Sequence, residues 1–148
     1  MSTTTTTSAT SPTSPQRTHH VFPASAGVPP QVGPFSHAVR FGDLLLVTGQ
    51  MPTDPATGEL VAGGLVEQTR QVMSNLQAVV RAAGAELSDT LMVRAYLTDF
   101  DDYDAFNAEY RTWFDDPLPS RTCVGVTGLA VGALVEIDLV VGIAGGAA

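Results

Sequence analysis

Lysine is absent from this chain: all seven basic residues are arginines. Schiff-base, pyridoxal-phosphate and P-loop chemistry, each of which needs a lysine ammonium, are thereby excluded. Cysteine is nearly absent, and the single Cys123 rules out an internal disulfide or a multi-cysteine zinc or iron–sulfur centre and fits a reducing interior. Histidine is scarce, with His19 and His20 in a polar N-terminal stretch and only His37 further on. A histidine-rich metal centre is hard to assemble from that stock, so no metal and no cofactor is expected. Long apolar runs are missing too, since no stretch of eighteen apolar residues occurs, and no membrane span is expected. Seven basic residues against fifteen acidic ones leave a net charge of −8, which repels phosphate backbones and anionic bilayers. Neither nucleic acid nor a membrane is expected as a partner. What the chain does have is 44% apolar residues in a length of 148, enough for one core and one domain.

Residues 1–18 hold eight Thr, four Ser and two Pro but no Leu, Ile, Val or aromatic residue. Such a segment buries too little to offset its ordering entropy, so residues 1–20 are expected to be a disordered tail and residues 21–148 the domain. No basic start followed by an apolar stretch marks a secretory signal, which makes the cytoplasm the expected location. Ala38–Phe41 and Leu44–Thr48 flank Gly42-Asp43, the mark of a two-residue hairpin. Leu65, Thr69, Val72, Met73, Leu76, Val79, Val80 and Ala83 recur three or four apart and predict an amphipathic helix that stops at Gly84. Thr90–Leu97 reads as a strand. Asp99–Asp102 then supply capping side chains for a second helix, with Tyr103, Phe106, Asn107, Tyr110 and Trp113-Phe114 as its buried stripe and Pro117 and Pro119 beyond its end. Thr122–Val126 and Leu134–Ile143 complete the set as two strands joined through Gly128 and Gly132. The order β-β-α-β-α-β-β offers two helices, too few to cover both faces of so apolar a sheet. A homo-oligomer packed through the second face is therefore expected.

The blocks Gly33-Pro34-Phe35-Ser36-His37-Ala38-Val39, Val47-Thr48-Gly49-Gln50-Met51-Pro52, Gln68-Thr69 with Asn75-Leu76, Asn107 with Tyr110 and Phe114, Pro119-Ser120-Arg121-Thr122-Cys123-Val124, and Val135-Glu136-Ile137 together resemble the Rid (YjgF) family of reactive-intermediate deaminases. The resemblance spans essentially the whole foldable part. It implies a single-domain α+β, chorismate-mutase-like fold, a mixed β-sheet with two helices on one face, assembled as a homotrimer with clefts between subunits. It also implies hydrolysis of 2-imino acids and their 2-enamine tautomers to 2-oxo acids and ammonia, with a small-molecule carboxylate as the partner. By family position, Arg121 and Cys123 hold the substrate carboxylate and Glu136 positions water; Phe35, the backbone of Gly49, and Asn107 are further candidates to contact the substrate. Phe35 stands where the family commonly has Tyr, His37 where it has Gln, and Leu129-Ala130-Val131 where it has Leu-Pro-Lys.

Each of these residues also has a plainer role open to it. Arg121 could be a surface arginine instead of a carboxylate fork. Glu136, between Val135 and Ile137, could point inward as a general acid or base with a raised pKa, or sit on a half-exposed face beside Asp138. A hairpin across residues 128–133 would pair Glu136 with Gly125 and put it on one sheet face with Cys123 and Arg121, although different subunits could also supply the two groups. Cys123 could be a nucleophile or a small buried hydrophobe that contributes its backbone. His37 could line the cleft or serve the structure, and Asn107 could tie helix to loop or brace the cleft. The acidic run Asp99–Asp104 is expected only to cap a helix. Beside imine hydrolysis stand two alternatives: a non-catalytic trimer binding small carboxylates or unfolded chains, and a pathway-dedicated enzyme for a larger substrate.

Overall fold

In the computed structural model, which describes residues 14–144, Gly42-Asp43 turn one strand back on the next. Strand β2 (Ala38–Phe41) pairs antiparallel with β3 (Leu44–Gln50), with Phe41 opposite Leu44. Gly42 takes φ 60° at the turn, a conformation glycine adopts without the steric cost of a β-carbon. The helix α1 (Leu65–Ala82) follows the predicted period and buries Val72, Met73, Leu76, Val79 and Val80 completely. The exposed backbone N–H of Gly64 at its start donates to Glu67 Oε2 at 2.9 Å. Strand β4 (Thr90–Leu97) has the predicted bounds. In the turn after it, Asp99 Oδ1 accepts from the Asp101 N–H at 2.9 Å and leads into α2 (Tyr103–Arg111). The last two strands are β5 (Ser120–Gly125) and β6 (Val135–Gly142). No helix among the described residues is long and apolar enough to cross a membrane.

These elements form a mixed sheet with two helices on one face, as expected, but the sheet has a sixth strand. Residues Arg17–His20 make an edge strand, β1, antiparallel to β2, so the ordered fold begins ahead of Val21. Its side chains are nearly all exposed, and backbone hydrogen bonds to β2 hold it in place of apolar burial. The part of the expected tail at residues 1–13 lies outside the described residues.

The strand order is β1-β2-β3-β6-β4-β5, antiparallel except for the parallel pair β4–β5. This corrects the expected hairpin between the last two strands. Strand β6 alternates fully buried Val135, Ile137, Leu139 and Val141 with half-buried residues, so it belongs at the sheet centre between β3 and β4. The polar β5 takes the outer edge and reaches it through α2, the crossover that a parallel pair requires. Glu136 accordingly stands opposite Tyr96 and not Gly125. Helix α1 packs on β3, β6 and α2. The other face is open and carries Phe41, Leu44, Leu46 and Val124, each more than 40% exposed. That is the apolar face anticipated as an association surface.

Candidate active site

Arg121 is in register with Val93 of β4, and its side chain lies on the helix-covered side of the sheet, under α2. The stripe Tyr103, Phe106, Asn107, Tyr110, spaced i, i+3, i+4, i+7, turns one face of α2 toward it. The guanidinium carbon is 4.7 Å from the Tyr110 ring centre, 5.5 Å from that of Phe106 and 5.7 Å from that of Tyr103. One Nη2–H donates to Tyr103 Oη at 3.1 Å. Arg70, Arg81, Arg94 and Arg111 each form an ion pair with a carboxylate. Arg121, half-buried, has no carboxylate within ion-pair distance among the described residues. A charge taken partly out of water without a counter-ion is a site for an anion from solution.

Arg121 borders a groove of about 610 Å³ lined also by Asn107, Ala108, Tyr110, Leu118 and Pro119. Two buried polar atoms of groove-lining residues, Asn107 Oδ1 and the Tyr110 hydroxyl, have no hydrogen-bond partner among the described residues, and burial pushes the Tyr110 phenol above its ordinary pKa. The uncompensated cation at the edge of this groove suits a ligand that carries a carboxylate. Cys123, two residues along β5 on the same side, packs against the core. Burial pushes its thiol up and nearby Arg121 pulls it back only in part, which keeps it protonated and poorly nucleophilic at neutral pH.

Glu136 occupies the open face of the sheet. It lies directly over Gly49, where β3 bulges between Val47 and Gln50. A β-carbon on residue 49 would stand 2.9 Å from Glu136 Cδ and 3.1 Å from Cγ, and closer still to Oε1. Glycine is the residue that leaves room for this carboxylate. Burial raises the Glu136 pKa, and the Asp138 carboxylate two residues away adds to the shift. Asp138 itself accepts from Arg94 Nε at 2.7 Å and from Tyr96 Oη at 3.3 Å.

Beside Gly49, Phe35 is 39% exposed and joins Pro29, Pro30 and Met51 in a narrow cleft. His37 is buried at its edge, and its Nδ1 accepts the Phe22 N–H at 2.9 Å while Nε2 lies 2.9 Å from the Pro29 carbonyl. This arrangement assigns the proton to Nε2 and occupies both ring nitrogens, so His37 ties the N-terminal segment to β2 and has no lone pair free for proton transfer. Ser36 Oγ meets His19, at 3.4 Å, and not His37.

The structure therefore sorts the candidates into two groups. Arg121, Cys123 and Asn107 gather at the β5 edge on the helix side. Glu136, Gly49 and Phe35 gather around β3. The shared sheet face that a β5–β6 hairpin would give Glu136 and Arg121 does not occur, because pairing with Tyr96 puts Glu136 on the face opposite to Arg121. The aromatic cradle of Arg121 was legible only as a buried helix stripe, since helical spacing alone does not say what the stripe covers.

A family model described as "Endoribonuclease L-PSP" matches residues 26–143. The chain belongs to this family, known also as Rid or YjgF. Among Rid-family proteins it is similar to the RutC family protein y4sK of Sinorhizobium fredii, 48% identical over 76% of this chain and 90% of that one. It is also similar to the 2-iminobutanoate/2-iminopropanoate deaminase of Mus musculus, 35% identical over 76% of this chain and 83% of that one. The crystal structure of E. coli TdcF with bound serine superposes with a TM-score of 0.79 at 28% identity, covering 86% of this chain and all of that one.

Proposed function

We propose that this Rid-family protein hydrolyses 2-imino acids, and the enamines in equilibrium with them, to 2-oxo acids and ammonia. The observation that carries the proposal is the half-buried Arg121 guanidinium, set among three aromatic rings with no carboxylate at ion-pair distance among the described residues. The name of the mouse relative and the serine bound to TdcF point to the same ligand class, a small amino-acid-derived carboxylate. The family description names RNA cleavage instead. A net charge of −8, with four of seven arginines already paired to acids, provides little to hold a polyanion.

In this scheme Arg121 grips the carboxylate through parallel N–H bonds. Asn107 lines the groove beside the bound substrate. Water adds its oxygen to the C=N carbon and passes a proton to Glu136, which returns one to nitrogen. The carbinolamine hydroxyl then gives up its proton, Glu136 relays it to the amine, and ammonia leaves as the C=O bond forms. The imine carbon is already electrophilic, so positioning and a proton relay suffice. Because Arg121 and Glu136 lie on opposite faces of one sheet, the cleft takes Arg121 from one copy and Glu136 from the next, with the open apolar faces packed together in a trimer.

The test is to generate 2-iminopropanoate and 2-iminobutanoate enzymatically and follow their decay with and without the protein. Acceleration is expected, from a species that scatters light as three 15.4 kDa chains, roughly 46 kDa. A monomer at micromolar concentration would overturn the shared cleft. A protein that binds 2-oxo acids but leaves imine decay unchanged would be the carboxylate binder instead.

Gly49→Ala separates the carboxylate's position from the fold. The added methyl meets the mobile end of Glu136, which can swing aside, so the stability loss should stay under about 1 kcal/mol. Turnover should fall about tenfold or more, because the displaced carboxylate no longer meets the water. Unchanged turnover in Gly49→Ala would show that the exact seat of Glu136 is immaterial.

A further inference from the structure

We propose that Tyr103 is a positioning residue for Arg121: its hydroxyl fixes the guanidinium for carboxylate binding without neutralising it. This rests on the carboxylate-anchoring role given to Arg121 above.

Tyr103 is the first residue of α2 and its Oη accepts from Arg121 Nη2 at 3.1 Å. The other α2 rings around the guanidinium offer only their faces, so this is the one directional contact that α2 makes to Arg121 among the described residues. Cation–π attraction is broad and lets a guanidinium slide and rotate over a ring, whereas a hydrogen bond selects a rotation. The chemistry of the acceptor matters as much as its place. An Asp or Glu at this distance would orient Arg121 but also cancel its charge, as Asp138 does for Arg94 at 2.7 Å. A phenol is a neutral acceptor, and it leaves the remaining N–H groups and the whole positive charge for a ligand.

Tyr103 is itself held. Its ring stacks on Phe100, with centres 4.8 Å apart and planes 14° apart. Phe100 in turn lies over Gly125, where a β-carbon would be 3.5 Å from its ring. The two ends of β5, Arg121 and Gly125, thus grip the Phe100–Tyr103 turn from both sides. A hydroxyl on such a braced ring loses little freedom when it accepts a hydrogen bond, which is what an orienting contact requires.

Tyr103→Phe keeps the ring, its stack on Phe100 and the cation–π face, and removes only the acceptor. Titration with pyruvate, which cannot react, should show Kd raised about fivefold, and the KM for 2-iminopropanoate should rise in parallel while kcat stays within about twofold, the effect of one hydrogen bond. In an Arg121→Lys background the same change should have almost no further effect on pyruvate binding. Unchanged Kd and KM in Tyr103→Phe would overturn the proposal, and so would a full fivefold loss repeated in the Lys background, since Tyr103 would then act elsewhere. A wild type that binds pyruvate in a Tyr103-dependent way but leaves imines untouched would support the positioning role and refute the hydrolase. No pyruvate binding by wild type would refute the positioning role together with carboxylate anchoring at Arg121, while imine decay decides the hydrolase separately.

Discussion

Arg121→Lys is expected to lower kcat/KM for 2-imino acids by about a hundredfold or more while the protein stays folded and assembled. The fold should survive because Arg121 is half-exposed and forms no ion pair among the described residues. Function should not, because three separate features of the site depend on the shape of the guanidinium. Its fork presents two parallel N–H donors to a carboxylate, where an ammonium presents a single point. Its delocalised charge lies over the rings of Phe106 and Tyr110, 5.5 and 4.7 Å from their centres. Its Nη2 reaches Tyr103 Oη, a bond that a shorter, tetrahedral head would have to leave or share with the substrate. Steady-state kinetics with thermal melts alongside would decide it, and near-normal turnover by the Lys variant would show that charge alone anchors the substrate.

Much of this architecture is legible from local pattern. Helix α1 and strand β4 show clear periods, and Gly42-Asp43 sits between two apolar runs, so neighbours in sequence determine each of them. What is not legible depends on partners distant in sequence. Strand β1 has no apolar alternation, since Arg17, Thr18 and His19 are exposed and backbone pairing with β2 is what orders them. The consecutive strands β5 and β6 invite a hairpin, yet β6 is the more apolar and takes the centre of the sheet while β5 goes to the edge. That one exchange decides the candidate site. Period-two parity correctly puts Arg121 and Cys123 on one face, but the relation of Glu136 to that face depends on which strand β6 pairs with. His37 was open between cleft and scaffold for a related reason: its two partners, Phe22 and Pro29, come from a loop with no periodic signal. Cys123 is a half-buried thiol packed on the core.

Glu136→Gln is expected to slow imine hydrolysis about a hundredfold while binding of a non-reacting 2-oxo acid and the proposed trimer are retained. Gln has the same outline over Gly49 and can still hydrogen-bond a water molecule, but it cannot take the water's proton. The pH profile gives a second and independent check. Burial and Asp138 both disfavour the ionised carboxylate, so the acidic limb of kcat/KM in wild type should lie above the ordinary glutamate range. That limb should be missing from the residual activity of the Gln variant. Stability should move the opposite way from activity. With the folded pKa raised, the native state holds a proton that the unfolded chain has already released. Wild type therefore loses stability as pH rises from the ordinary value of 4.5 through the raised one. Glu136→Gln removes that loss, so at neutral pH the variant should melt no lower than wild type. A variant both inactive and destabilised would point to a structural role for Glu136. A variant as active as wild type would leave the hydrolysis to Arg121 and the backbone, and the proton relay assigned to Glu136 would be wrong.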